Sequence, residues 1–121
     1  MKISLSLPHA DISPNSRKHW RAKAVKTKEH RARAKSMASF TLGYVHGDNP
    51  PIFYTYSLAF FLPDKRKRDD DNLAASCKAY RDGIADALGI DDHNLRMDSA
   101  PTMQLDREDP RVEITLNTKK P

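Results

Sequence analysis

Apolar side chains occupy every second position in residues 3–7 and again in residues 111–116. That spacing places them on one face of an extended chain, so both segments are predicted to be half-buried strands. Residues 52–62 are rich in tyrosine, phenylalanine, threonine and leucine, a composition typical of a strand buried within a sheet. A further strand is predicted near residues 96–105.

A long helix is predicted over residues 16–42, which contain neither proline nor glycine. Asn15 or Ser16 is the candidate N-cap, and Gly43 is the expected stop. Apolar residues are sparse in the first half of this helix, so we expect that half to lie on the surface. Trp20 is expected to anchor a core or an interface, or else to stack on a base.

A second helix is predicted over residues 72–88, because apolar side chains recur there at helical spacing and Gly89 follows as a C-terminal cap. The predicted order is therefore β-α-β-α-β-β. A chain of 121 residues has room for one modest core, and it contains no repeat or long linker. We predict a single α+β domain over residues 1–121, with two helices and a small mixed sheet.

The amino-acid composition excludes several kinds of site and several cellular locations. Cys77 is the only cysteine, which excludes an internal disulfide framework and a zinc site built from several thiolates. No apolar stretch approaches the roughly 20 residues of a membrane span, and the N-terminal apolar segment ends at Pro8, too early for a secretory signal. We therefore expect a cytoplasmic protein with no membrane partner. The five histidines lack metal-ligand spacing, and each is expected at the surface.

The acidic residues between the second predicted strand and the second predicted helix indicate a metal site. In an extended connector, the side chains of Asp69 and Asp71 point to one side and that of Asp70 to the other. Two carboxylates this close favour a hard divalent cation such as Mg²⁺ between them. Asp91 and Asp92 could join them only if the fold brings that later turn back.

A solvated loop of mixed charge is the alternative interpretation, because four basic residues adjoin these acids and aspartate is common where helices begin. A calcium-binding loop starting at Asp69 is excluded, since Ala74 replaces its glycine and Tyr80 its final glutamate. Asp71, Lys78 and Asp82 are seven and then four positions apart, so they are predicted on one stripe away from the core-facing side. There the Lys78 ammonium could pair with an acid or contact a phosphate.

Positive charge is concentrated in two segments of a chain whose net charge is +5. Residues 17–35 contain nine lysines and arginines against one acid, and residues 65–68 are all basic. Such clusters bind phosphate backbones, whereas the alternative is an ordinary solvated basic helix. The candidate DNA-binding residues are Arg17, Lys18, Arg21, Lys23, Lys65, Arg66, Lys67 and Arg68.

These motifs together resemble the RusA family of Holliday-junction resolvases, small endonucleases of bacteria and their prophages. The shared pattern is Arg-Asp-x-Asp-Asn at residues 68–72, a lysine in the following helix and a distal acidic pair. Chain length, element order and a Pro-Asn turn at residues 14–15 agree as well, so the resemblance covers most of the chain. It implies that Asp69, Asp71 and Asp92 are catalytic metal ligands, with Asp91 as a supporting acid. Lys78 is the nearest match to the catalytic lysine of the family.

The resemblance also implies how the protein acts. Members of the family are homodimers that use Mg²⁺ or Mn²⁺ to resolve four-way (Holliday) junctions by paired symmetric nicks, in DNA recombination and repair. A twofold protein with two sites suits such a twofold substrate. Two alternatives stay open: a non-catalytic basic module that binds nucleic acid, and a metal nuclease that acts on flaps or other branched DNA. Dimerisation is implied by the resemblance alone.

Overall fold

Five strands form one mixed sheet beside three α-helices in this computed structural model, which describes residues 1–14 and 16–120. The strands are β1 (Lys2–Leu5), β2 (Thr55–Leu62), β3 (Arg96–Met97), β4 (Thr102–Leu105) and β5 (Arg111–Asn117). The helices are α1 (Trp20–His46), α2 (Asp70–Ser76) and α3 (Lys78–Leu88), with 3₁₀ turns at Ala10–Ile12 and Asp92–Asn94. The predicted α+β class with a mixed sheet is confirmed. No helix in the described part of the chain is long and apolar enough to cross a bilayer.

β5 lies between β1 and β2 and pairs antiparallel with both. β3 and β4 run parallel to β2 along its other side. In the core face of the sheet, Ile114 of β5 lies opposite Ile3 of β1 and Leu58 of β2, and all three are buried. The period of two in the sequence of β5 is therefore confirmed as one buried and one less buried face.

The single strand expected near residues 96–105 is in fact two short strands. Residues 98–101, which include Pro101, separate β3 from β4. Proline lacks the backbone N–H that a sheet ladder needs, so the pairing with β2 stops and then resumes. Asp98 is exposed in this gap, and its carboxylate accepts a 2.7 Å hydrogen bond from the Asn117 amide.

α1 begins at Trp20, later than the predicted residue 16. His19 is the N-cap, and its Nδ1 accepts the N–H of Arg21 at 3.2 Å. An imidazole nitrogen here takes the place of the hydroxyl or carboxylate oxygen that usually caps a helix. Ser16 lies outside the helix, and Asn15, the other predicted cap, lies outside the described residues.

α1 also passes through Gly43, its predicted stop, and ends before Gly47. A glycine inside a helix costs only about 1 kcal/mol relative to alanine, so packing elsewhere can outweigh it. Gly47 has a φ of 59°, in the region that favours glycine, and its N–H bonds to the carbonyl of Gly43 at 3.0 Å. The helix therefore ends where the backbone reverses rather than at the first glycine.

The second predicted helix is also divided, into α2 and α3, which meet at Cys77. The φ and ψ of Cys77 are −90° and 4°, and its N–H bonds to the Ala74 carbonyl at 3.0 Å, as in a 3₁₀ turn. Ser76 Oγ donates to the carbonyl of Asn72 at 2.8 Å, a contact that bends helices. The expectation of two helices is thus corrected to three.

α1 and α3 approach each other closely through small residues. Ala34 and Ala38 of α1 are fully buried, and Gly83 of α3 lies against the backbone of Arg31. A Cβ at Gly83 would overlap the Arg31 carbonyl oxygen. This contact holds α3 in place, and α3 in turn holds Lys78 and the charged residues that follow it.

His30 is a buried histidine, where the sequence predicts surface histidines. It is 4% exposed, stacks on the Tyr80 ring at a centroid distance of 4.9 Å, and accepts the N–H of His9 at Nε2. Nδ1 has no hydrogen-bond partner among the described residues. Burial lowers the pKa of His30, and the Arg33 guanidinium lowers it further.

We expect the free energy of unfolding to fall in acid because His30 must protonate. Since its folded pKa lies below the ordinary 6.5, its contribution is complete above pH 6.5 and is lost as the pH falls below that value. Urea unfolding at pH values from about 8 to 5 should show that the free energy of unfolding falls more steeply with decreasing pH for the wild type than for His30→Gln. The difference is at most about 1.4 kcal/mol per pH unit, which corresponds to one proton. Equal slopes for the two proteins would contradict this prediction.

Candidate metal and nucleic-acid site

Three consecutive carboxylates lie at the start of α2, directly after the basic connector, as we call residues 65–68. Asp69 is the N-cap of α2, and its Oδ1 accepts the N–H groups of Asp71 at 2.8 Å and Asn72 at 3.4 Å. Asp70 and Asp71 form the first turn, where negative charge complements the helix dipole. One oxygen of each aspartate lies within 4.8 Å of the others. We call these three residues the acidic cluster.

The start of the helix changes the predicted geometry of this cluster. The expectation that Asp70 points away from Asp69 and Asp71 is wrong, because only Asp69 has an extended backbone and the helix begins at Asp70. Oxygens around Mg²⁺, each about 2.1 Å from the metal, lie about 3–4 Å apart, and the oxygens of the cluster lie within 4.8 Å of one another. The donor set of carboxylate oxygens therefore suits Mg²⁺ or Mn²⁺.

A second cluster contains Asp91, Asp92 and His93, with one ligand atom of each within 4.8 Å of the others. Asp91 caps the 3₁₀ turn, and the N–H of His93, donated to Asp91 Oδ1 at 2.9 Å, lowers the pKa of Asp91. Across residues 1–14 and 16–120, no group this compact joins Asp92 to Asp69 and Asp71. The carboxylates expected around one metal are therefore held in two clusters.

A chain of ion pairs connects Lys78 to Asp92. Lys78 Nζ lies 3.3 Å from Asp82 Oδ2, and Arg81 Nη2 lies 3.0 Å from Asp82 Oδ1 and 3.5 Å from Asp92 Oδ2. Asp82 is 8% exposed, so its predicted place on an outward stripe is wrong. Two cations compensate the burial of its charge. Lys78 remains largely exposed.

Arg81 is the charged residue in this region that the sequence patterns do not indicate. It reaches Asp92 because Gly89, with a φ of 70°, ends α3 as predicted and also reverses the chain. The break at Cys77 also interrupts the stripe expected to link Asp71 with the later charges. A pairing across eleven positions and a chain reversal leaves no periodic signal in a sequence.

Most of the basic connector projects into solvent. Lys65, Arg66 and Lys67 are exposed, whereas Arg68 turns back and pairs with Asp64 at 2.9 Å. This bond, with the N–H of Arg66 donated to the same carboxylate, lowers the pKa of Asp64. Three of the four candidate DNA contacts in the connector are thus accessible, and Arg68 instead holds the loop in shape.

The other candidate contacts lie at the start of α1 and just before it. Arg17, Lys18 and Arg21 are exposed, and Lys23 is half-buried. Further along the helix, Arg31 donates two hydrogen bonds to the Asp86 carboxylate of α3, from Nε at 2.7 Å and from Nη2 at 2.9 Å. Lys28, Arg33 and Lys35 are exposed too, so accessible positive charge extends along this segment from its N-terminal end.

Trp20 lies among these exposed cations. Its side chain is 67% exposed, so the expectation that it anchors the core is wrong. The His19 ring lies 5.5 Å from its centroid, and the Arg21 guanidinium lies 5.3 Å away. An exposed indole beside cations provides a surface on which a nucleobase can stack.

Comparison with known proteins adds one relative. An uncharacterized protein of Xylella fastidiosa (strain Temecula1 / ATCC 700964) is 41% identical to this chain over 95 residues. The match covers 77% of this chain and 61% of the relative, so the chain spans about three-fifths of the length of that protein. No family model matches the chain.

Proposed function

We propose that this protein is a metal-dependent endonuclease that cuts branched DNA, with four-way junctions as its preferred substrate. The observation that supports this most is the direct succession of the basic connector and the acidic cluster. Exposed cations there adjoin three carboxylates whose oxygens lie within 4.8 Å of one another. Cations for a phosphate and oxygen ligands for a hard metal are the groups that phosphodiester hydrolysis requires. The RusA-like motifs support the same proposal.

Each group has a role in this proposal. Asp69, Asp70 and Asp71 would hold Mg²⁺, or Mn²⁺ in its place. A bound ion would activate a water molecule and offset charge on the phosphate. The exposed cations of the basic connector hold the DNA backbone beside the cluster, and exposed Lys78 contacts a further phosphate. Asp91 and Asp92 offer oxygen ligands for a second ion.

A comparison of substrates tests this function. A labelled four-way junction, a flap and a linear duplex are each incubated with the protein in Mg²⁺. We expect paired nicks at symmetric positions in the junction and much slower cleavage of the duplex. Faster cleavage of the flap than of the junction would show that the flap is the preferred substrate.

A non-catalytic nucleic-acid-binding module is the second candidate, and one observation favours it. Asp92 is paired with Arg81 and lies outside the acidic cluster, so these acids can balance charge without a metal. Such a module would bind all three substrates with strong salt dependence, with or without Mg²⁺, and would cut none of them.

The proposal includes a homodimer formed through the second half of α1. Residues 36–45 carry no charged side chain, in contrast to the basic first half. Phe40 is 71% and Tyr44 84% exposed, and their rings stack at a centroid distance of 6.3 Å. Met37, one turn earlier, is exposed as well. An uncharged apolar surface in water favours association with a second copy of the chain.

We expect Phe40→Glu/Tyr44→Glu to be monomeric at concentrations where the wild type is a dimer. Two carboxylates would repel their counterparts across a twofold axis and remove the apolar contact. Sedimentation equilibrium measures the mass directly. Trp20→Glu is the matched control, because it changes an equally exposed aromatic residue at the other end of α1 and should leave the dimer intact. A wild-type monomer at all concentrations would contradict this part of the proposal.

A further inference from the structure

A cleft of about 430 Å³ opens beside the acidic cluster, between the loop that follows β1 and the basic connector. Its volume lies within the range of roughly 300–1,000 Å³ that small-molecule sites occupy. The roles assigned above to the acidic cluster and the basic connector do not use this space.

The inner wall of the cleft is apolar. Leu7, Leu62 and Leu73 line it, and Leu62 is almost fully buried, whereas the other two are half-buried. A flat apolar ligand would gain free energy by leaving water for this wall, because burial of apolar surface is favourable in proportion to its area. The wall therefore suits the faces of an aromatic ring.

Two polar side chains at the cleft have unused hydrogen-bonding groups. Within the described residues, the side-chain amide of Asn72 makes no hydrogen bond, so it offers both a donor and an acceptor. His9 uses Nδ1 to accept the N–H of Asp11, and its half-exposed ring leaves Nε2 facing no partner in the same part of the chain. An amide that can donate and accept is the group that reads the edge of a base.

The charges at the cleft select the kind of aromatic ligand. Arg66 and Lys67 line it and are exposed, which favours a ring that carries a phosphate on one side or both. Asp69 lines it as well, so a phosphate next to a ring in the cleft would lie near the acidic cluster. An aromatic ring with polar edges and flanking phosphates is a nucleotide.

We infer that the cleft receives one unstacked nucleobase from the branch point of bound DNA and so positions the adjoining phosphate near the acidic cluster. This inference rests on the proposed function, because it assumes that branched DNA is the ligand. Bases at a branch point have lost part of their stacking, so they cost little to extrude, and bases in continuous duplex cost more. Selection of branched over linear DNA follows from that difference.

Abasic junctions test the inference without any cleavage. Four-way junctions that lack one base, at each branch-point nucleotide in turn, are titrated with the protein in chelator, and anisotropy gives Kd. We expect one position at which loss of the base weakens wild-type binding about fivefold or more. Ala10→Trp fills the cleft from its exposed edge, and Asn72→Ala removes the amide. In both variants the abasic and intact junctions should have nearly equal Kd values.

Ala100→Trp is the matched control, since Ala100 is exposed and does not line the cleft, and it should keep the wild-type penalty. No penalty at any branch position in the wild type, or an unchanged penalty in both cleft variants, would overturn the inference. Saturable binding of free dAMP with no abasic penalty would assign the cleft to a free nucleotide and overturn it too. A penalty that behaves as expected, with no cleavage in Mg²⁺, would retain the cleft and reject the nuclease. Cleavage in Mg²⁺ without an abasic penalty would retain the nuclease and reject the cleft.

Discussion

An Asp71→Asn protein is expected to bind a four-way junction as tightly as the wild type and to cut it about 100-fold more slowly or worse. Within the described residues, the side chain of Asp71 accepts no hydrogen bond, and its backbone N–H donates to Asp69 Oδ1. Its replacement therefore removes a proposed metal ligand without removing a structural contact. A metal contributes several kcal/mol to a phosphoryl transition state, and each 1.4 kcal/mol is a factor of ten in rate.

Two further variants make this result specific. Asp69→Asn keeps a good N-cap, because asparagine caps as well as aspartate, so its loss of cleavage would also report on the metal. Asp48→Asn makes the same chemical change at an exposed acid in the turn after α1 and should cut at the wild-type rate. Binding is measured in chelator and cleavage in Mg²⁺. Wild-type cleavage by Asp71→Asn would remove the acidic cluster from the mechanism.

Gly83→Ala is expected to lower the free energy of unfolding by about 1–3 kcal/mol. The added Cβ would overlap the Arg31 carbonyl oxygen and lie 3.0 Å from the Cβ of Ala34, so α1 and α3 must separate. Overpacking of this kind costs about 1–3 kcal/mol, more than the 0.5–1 kcal/mol that alanine gains over glycine within a helix. Urea unfolding followed by far-UV circular dichroism measures the change in midpoint.

Gly43→Ala is the matched control for that experiment. A Cβ there meets no atom within 4 Å, and the residue lies inside α1 without a positive φ. The same substitution should therefore raise the free energy of unfolding by about 0.5–1 kcal/mol. Opposite signs at the two glycines would locate the close helix crossing at Gly83. A neutral result for Gly83→Ala would show that the two helices pack less tightly than described.

The elements best predicted from the sequence are those held by a local pattern. β5 alternates strictly, and its alternate residues face the core between β1 and β2. The C-terminal end of α3 is marked by Gly89, which has the left-handed conformation that its position requires. In both cases the signal and the structural cause lie within a few residues of each other.

The elements that the sequence does not predict depend on contacts between distant segments or on competing local bonds. The division of α2 from α3 involves a serine hydroxyl that bonds back to Asn72, a choice that apolar spacing cannot reveal. His30 is buried because α1 crosses the loop after β1 and the Tyr80 ring, which lies fifty positions away. Trp20, by contrast, has the size of a core residue and still lies exposed.

In the candidate site, too, local features are predicted from the sequence and tertiary contacts are not. The spacing of Asp69 and Asp71 predicts that they lie together, and they do, but Asp70 joins them because the helix begins at that residue. The position of Asp92 depends on its ion pair with Arg81, a contact that forms across the chain reversal at Gly89. Sequence spacing can therefore indicate the acidic cluster but not its separation from the second one.

Cleavage of branched DNA with a divalent metal is the activity that we propose for this protein. Its most direct test is a four-way junction labelled on two opposite strands and incubated with the wild-type protein in Mg²⁺ or in chelator. We predict that both labelled strands are nicked at symmetric positions in Mg²⁺ and that neither is cut in chelator, although the junction is bound in both. Binding without nicks in Mg²⁺ and in Mn²⁺, or equal nicking in chelator, would contradict the claim.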